Sequence, residues 1–362
     1  MSRPLRLWAL CAGAAALVAV AAGLTAYASA TPAPRRAAAS AAPSRLTSRT
    51  ATPTPVATPA PIPRNKPVAL VAGQPISGAA YADLVARERV AAAAQAQQQG
   101  GSAPDERQIR TQALTDIITT AVINHYARQH GITATARTVQ QRYDATKTQI
   151  EQQARQAGQS VTFTAVLKQY GYTVASFKQA IADAIVGSKV EQKIAPPGLI
   201  DAVRVRHILI GPPLTQSGAG TPTPKAKAKP DSYYKAEAET VYQQLKHDPS
   251  RFATLAHQKS VDTARGAQGG ELGWVVKGMT VPAFEKTAFS LPVGQISPPV
   301  KSQYGYHIIQ VEAHRKVPFT ALPQSALRVP AVQALAQRQQ NRFQNWLAAE
   351  RKRDHVRILY KV

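Results

Sequence analysis

Cysteine is all but missing from this 362-residue chain: Cys11 stands alone. No disulfide can form within the chain, and no thiolate zinc site can be assembled. Lipidation of Cys11 is disfavoured too, because Trp8-Ala9-Leu10 lack the small residue such processing needs, and the apolar run ahead of the cysteine is short. Acidic residues are scarce: 20 Asp and Glu face 44 Lys and Arg, for a net charge of +24. A basic balance suits anionic partners, whether nucleic acid, anionic lipid or anionic cell-wall polymer, and does not choose among them. There is no Cys/His finger spacing, aromatic RNA-binding signature or basic zipper, so nucleic acid is not expected as a partner. The Gly-x-Ser-x-Gly elbow and the His-Glu-x-x-His zinc motif are likewise absent, which removes the commonest hydrolase readings. No motif calls for a metal or a cofactor.

What is present is strongly segmented. Arg3 and Arg6 precede an uncharged apolar run from Leu7 to Ala28, which at about 22 residues is long enough to span a bilayer. Ala28-Ser29-Ala30 then offers a small-x-small cleavage site. The length of the run favours an uncleaved anchor and the site favours a cleaved signal peptide. On either reading residues 1–30 send the rest of the chain out of the cytoplasm. Residues 31–67 are rich in Pro, Ala, Ser and Thr and contain no acidic residue. They cannot bury a core, and their alternating Thr-Pro and Ala-Pro pairs favour an extended spacer.

Residues 68–200 read as a helical region introduced by a short strand, Val68–Val71. Helices are expected over about 77–98, 102–130, 137–157, 163–170 and 174–194. Ser102 with Asp105 reads as a capping box for the second, and Ile109, Ala113, Ile117, Ala121 and Tyr126 as its apolar stripe. Gly131 and Gly158 are placed to end helices. Near the other end, residues 320–362 give one more helical stripe (Val332, Leu335, Ala336, Phe343, Trp346, Leu347). A strand-like alternation at Val356, Ile358 and Tyr360 follows. Two such elements have too little surface to fold alone. They are expected to pack on the first helices, with the last strand pairing with Val68–Val71.

Residues 204–315 have a different grain. Val203, Val205, His207 and Leu209 alternate with Arg204, Arg206 and Ile208 in the period of a strand. A long Gly/Pro/Thr/Lys loop, a helix around Tyr234–Leu245 and a short helix capped by Asp248-Pro249 follow. A Gly-rich turn then leads into a strand, a short helix at 282–289, and a last strand with His307, Ile309 and Val311 on one face.

Within this block stand Val205-Arg206-His207-Ile208-Leu209, Ser260-Val261-Asp262, Gly269-Gly270-Glu271-Leu272-Gly273-Trp274, Pro282-Ala283-Phe284-Glu285, Gly294-Gln295-Ile296-Ser297-Pro298-Pro299-Val300 and Gly305-Tyr306-His307-Ile308-Ile309. In this order they resemble the parvulins, a family of small peptidyl-prolyl cis/trans isomerases. The arrangement of an exported helical region, this block and a closing helix resembles the PrsA/SurA-type foldases. The resemblance implies an α+β chain: a small antiparallel sheet with surrounding helices, inserted in a helical chaperone domain formed by both chain ends. It implies isomerase and chaperone activity on unfolded exported polypeptides containing X-Pro bonds.

Residue by residue, the resemblance places His207 and His307 at the floor of the site, with Ser302 linked to them. It places Asp262 and Thr263 beside the rotating bond, where relatives carry Cys or Asp, and Leu272, Met279 and Phe284 in the wall that grips the proline ring. Tyr304 stands where some relatives carry a smaller residue. Lys225, Lys227 and Lys229 fall where phosphate-reading relatives are basic, but their alternation with Ala and the flanking prolines read as a solvated loop. Two other readings compete with the isomerase: an inactive, membrane-tethered holdase for unfolded chains, and a wall- or lipid-binding protein driven by charge.

Overall fold

The computed structural model describes residues 61–99, 105–158, 160–215, 223–224 and 229–362. The leader and most of the spacer, residues 1–60, and Lys225 and Lys227 lie outside the described residues. Among those described, no helix is long and apolar enough to cross a membrane. The chain divides into two units, residues 1–195 with 342–362, and residues 196–341.

Among the described residues, the first unit is helical apart from three short strands. β1 (Pro67–Val71) and β2 (Gln74–Ser77) form a hairpin, followed by α1 (Gly78–Gln99), α2 (Glu106–Gln129), α3 (Ala136–Gln156), α4 (Phe163–Gln169) and α5 (Val174–Ile194). Small polar residues start most of these helices. Asp105, Thr135 and Thr162 each accept a hydrogen bond from the backbone N–H three residues on, at 2.7, 3.2 and 3.3 Å. Thr173 and Ser176 exchange bonds in a full capping box. Each such cap stabilises its helix by about 1 kcal/mol. The cap of α2 is thus Asp105 itself; Ser102 lies outside the described residues. The buried face of α2 carries Leu114, Ile118, Val122 and Ile123 along with Ile109, Ala113 and Tyr126, while Ile117 and Ala121 are only half-buried at its flank.

Two apolar clusters hold this unit together. One gathers Val68, Tyr81, Ile118, Val122 and Val190 with Phe343 and Leu347 from near the chain's other end. The second joins α3, α4 and α5 through Ile150, Phe163, Leu167, Phe177 and Ile181. The strand β9 (Arg357–Ile358) pairs antiparallel with β1, Ala69 opposite Ile358 and Leu70 opposite Arg357, giving a sheet in the order β2-β1-β9. The expected pairing of the last strand with residues 68–71 is present.

The second unit is built on a four-stranded antiparallel sheet in the order β6-β3-β8-β7, from β3 (Leu199–Ile210), β6 (Glu271–Val275), β7 (Val300–Ser302) and β8 (Gly305–Pro318). A two-residue pair, β4 (Leu214–Thr215) with β5 (Thr223–Pro224), lies in the loop after β3. α6 (Asp231–His247) and α7 (Phe252–Lys259) cover one face, packing Val241, Leu245, Phe252 and Leu255 on Ile208, Ile210, Tyr306 and Ile308. This is why Ile208, which alternation assigns to the outer face, is fully buried. α9 (Pro282–Ser290) covers the other face, where Phe284 and Ala288 meet Val203, Val205, Ile309 and Val311. The one-turn helix α8 (Thr263–Gly266) precedes β6.

β3 and β8 extend beyond 204–315 at the far end of the sheet, where Ala202 and Val317 join Val276, Phe319, Val329 and Val332 in a third cluster. Leu335 and Ala336, in the first half of α10 (Pro330–Arg353), pack there as well. The stripe read as a single face packed on the first helices is therefore shared: its early members belong to the second unit, and Phe343, Trp346 and Leu347 to the first.

Candidate active site

β3 and β8 run antiparallel with His207 opposite Ile309 and Leu209 opposite His307. The two histidines are therefore diagonal neighbours on one face of the sheet, near enough for long side chains to meet. Their rings lie 5.6 Å apart at 17° to one another, with Nδ1 of each 3.4 Å from Nδ1 of the other. Each residue is only 5% exposed. Phe284 stands edge-on to both, its ring 5.7 Å from that of His207 and 5.3 Å from that of His307.

The outer nitrogens have partners as well. His207 Nε2 lies 3.3 Å from Asp262 Oδ2, and His307 Nε2 lies 2.8 Å from Ser302 Oγ, which in turn accepts from the Tyr304 N–H at 3.1 Å. The hydrogen bond from His207, set against partial burial, holds the Asp262 carboxyl below its ordinary range. Asp262 is thus ionised near neutral pH and can only accept. Burial pushes the His307 imidazole down to about 3, with His207 pushing the same way and Asp262 opposing. His307 is therefore neutral.

With His307 neutral, one arrangement of protons makes a hydrogen bond of every contact in the line. His207 Nε2–H donates to Asp262, His307 Nδ1–H donates to His207 Nδ1, Ser302 O–H donates to His307 Nε2, and Tyr304 N–H donates to Ser302. The arrangement is a relay with one acceptor end and one donor end. Buried polar groups that are all satisfied in this way hold a fixed shape, whereas any break leaves one of them unpaired.

Three of the residues expected in the wall, Leu272, Met279 and Phe284, contribute to one apolar cluster, Phe284 buried and the other two half-buried. The Met279 sulfur also accepts from the Val276 N–H at 3.4 Å, which closes the turn after β6. The structure does not tie Thr263 into this group: it is exposed in the first turn of α8, next to Asp262, whose other oxygen caps that helix through the Arg265 N–H at 3.2 Å. Lys229, the described member of the lysine series, sets its ammonium 3.7 Å over the Tyr233 ring.

Sequence reading missed the residues that hold the histidine strands in place. Gly270 has φ of +84° and its carbonyl accepts from the His207 N–H at 2.8 Å; a Cβ there would fall 2.4 Å from the His207 oxygen. Only glycine meets both demands. Two buried serines do comparable work. Ser260 Oγ accepts from the Leu209 N–H at 3.1 Å, and Ser297 Oγ from the Ile309 N–H at 3.0 Å. The signal was available, since both sit inside quoted motifs, but a serine two residues from an aspartate reads as turn chemistry until the strand it faces is known.

Comparison with known proteins adds to this geometry. Residues 207–313 match the family described as Rotamase, PPIC-type PPIASE domain, and residues 58–191 match the SurA-like N-terminal domain. The Foldase protein PrsA of Staphylococcus aureus, strains Newman and N315, is 33% identical over 170 residues, covering 45% of this chain and 50% of the relative. The chain thus spans about half the length of the curated relatives it matches. Among solved structures, the crystal structure of the peptidylprolyl isomerase PrsA from Bacillus anthracis aligns over 68% of this chain and 99% of its own, at 22% identity and a TM-score of 0.27. The solution structure of NmPin, the parvuline of Nitrosopumilus maritimus, aligns over 32% of this chain and all of its own, at 32% identity and a TM-score of 0.24. Residues 207–313 thus match a PPIC-type PPIASE domain and residues 58–191 a SurA-like N-terminal domain, within one chain.

Proposed function

We propose that the chain is a peptidyl-prolyl cis/trans isomerase and chaperone that assists the folding of exported polypeptides. The observation that carries this reading is the unbroken line Asp262–His207–His307–Ser302 beneath Phe284, inside residues that match a rotamase domain. The bond to be rotated faces a barrier of ~18–20 kcal/mol from amide resonance. No bond has to break. The planar amide is the more polar form, because resonance puts negative charge on its oxygen. Twisting returns that charge to nitrogen.

A surface that holds the proline ring against Leu272, Met279 and Phe284, with the ionised Asp262 near the amide oxygen, disfavours the planar form relative to the twisted one. A 10⁴-fold acceleration needs a difference of about 5.5 kcal/mol. In this scheme the histidines are neither nucleophiles nor acids. They form a rigid floor that keeps the Asp262 charge and the Phe284 ring in register. Thr263, exposed beside Asp262, is assigned the substrate backbone in this scheme.

On this reading the 204–315 block is the catalytic part, and residues 68–200 with 320–362 serve as the chaperone part. Residues 1–30 supply an anchor or a cleaved signal and 31–67 a spacer, so that the folded part works outside the cytoplasmic membrane, near anionic lipid or wall polymer. The test is a prolyl-peptide isomerisation assay on the purified full chain, run beside an aggregation assay on an unfolded client. Catalysed exchange is expected. Suppressed aggregation with no rate above background from a folded protein would leave the holdase in its place.

A further inference from the structure

We propose that Ser260 is a positioning residue, which sets Asp262 against His207 by bracketing Leu209. The kinetic part of the inference rests on the isomerase reading above; the geometric part does not. β6 pairs with β3 only as far as Arg206, opposite Glu271. The His207 N–H still reaches the Gly270 carbonyl; beyond it the outer edge of β3 needs another partner, and residues 260–261 provide it at Leu209. The Leu209 N–H donates to Ser260 Oγ at 3.1 Å, and the Val261 N–H donates to the Leu209 carbonyl at 2.8 Å. Both backbone polar groups of Leu209 are thereby spent on the segment that carries Asp262. Leu209 is itself the residue opposite His307 and two residues from His207.

The bracket fixes the start of a short lever. The Ser260 N–H is held by the Ala256 carbonyl at 3.1 Å, which ends α7, and Asp262 begins α8 through the Arg265 N–H. Between these two anchors the hydrogen bonds to β3 are the bracket on Leu209 and the Asp262–His207 contact. That contact is 3.3 Å, long for a charge-assisted hydrogen bond, and has slack to lose. Ser260 is buried, so removing its hydroxyl strands the Leu209 N–H away from water and frees the segment to drift. Ser297 supplies a built-in comparison. Its hydroxyl and N–H bracket Ile309 in the same way, at 3.0 and 2.7 Å, on the opposite side of the sheet and away from the Asp262 segment.

The experiment is a mutant cycle in the full chain, read by kinetics and by ¹⁵N resonances of the imidazoles. Ser260→Ala is expected to lower kcat about tenfold with KM nearly unchanged, and Ser260→Thr to restore it. In an Asp262→Ala background, Ser260→Ala costs nothing further, because the group it positions is gone. Ser297→Ala lowers the melting temperature but has the same kinetic effect in both backgrounds. The ¹⁵N signals of His207 shift toward tautomer averaging in Ser260→Ala and not in Ser297→Ala. If Ser260→Ala does not fold, Ser260→Cys keeps the volume and removes the strong acceptor. Equal losses for the Ser260 variant in both backgrounds, or His207 signals like those of the parent, overturn the proposal. A parent chain with no isomerase activity ends the isomerase reading instead, and the imidazole spectra still judge the bracket.

Discussion

Each imidazole at the floor of the site has a different neighbour on its outer side, a carboxylate for His207 and a hydroxyl for His307, and burial governs the protonation of His307. His307 is held neutral down to about pH 3 in the folded chain, against an ordinary value of 6.5. Between those two values the unfolded chain binds a proton that the folded chain does not. Stability therefore rises with pH across that window, with a slope of up to about 1.4 kcal/mol per pH unit for one proton. Asp262, whose folded value is depressed, adds stability that is present above 3.8 and lost as pH falls through its lower folded value. Denaturant titrations at a series of pH values should show the first slope, and His307→Asn should flatten it.

Asp262→Ala is expected to cost about a hundredfold in kcat with little change in KM, if its charge acts on the twisted amide. Phe284→Ala, which opens a cavity against two histidines and the valines of β3, should cost about 3–5 kcal/mol by chemical denaturation. A Phe284 variant as stable as its parent would mean that the ring does not fill the space it occupies here.

Among the elements, the helices of the first unit were the most legible, because their starts carry short hydroxyl or carboxylate side chains and their ends carry glycine. The helix from Val174 to Ile194 has the bounds that its spacing predicts. Thr173→Ala, which removes the Thr173 side-chain half of its capping box and leaves the Ser176 half, should cost about 1 kcal/mol in thermal denaturation. The strands were legible in position but not in extent. β3 and β8 run on at their far end because a cluster around Val329 and Val332 covers Ala202 and Val317, and that cluster comes from residues distant in sequence. The same limit explains the misjudged face of Ile208 and the divided stripe of α10. Alternation tells which residues share a side, but not whether a second layer arrives to bury the other side. In the site, chemistry-bearing residue types stood out, and His207, His307, Asp262 and Ser302 do come together. The residues that aim them, Gly270, Ser260 and Ser297, act through backbone groups, and no side-chain pattern advertises that.

For the whole molecule, charge and chemistry separate. The net charge of +24 belongs to the chain, whereas the floor of the site is a pair of buried imidazoles beside a single carboxylate. Adsorption to anionic vesicles or wall polymer should therefore fall steeply as salt rises from low to physiological strength, where screening acts over about 8–10 Å. Turnover of an uncharged prolyl peptide should change little over the same range. Parallel changes in both would tie substrate capture to the basic surface rather than to the apolar wall.

The sheet that joins β1 to β9 also imposes an order of events on a chain synthesised from its amino end. Val68 and its neighbours emerge early, but Arg357 and Ile358, their partners on one side, come only after the whole of the second unit. Every residue of the second unit precedes residue 342, so the isomerase-like part has all its material in hand while the helical part still waits for a strand. Long-range pairing of this kind is slow to form, because the loop must close before the contact is made. In the interval, the face of β1 that awaits β9 is an open edge.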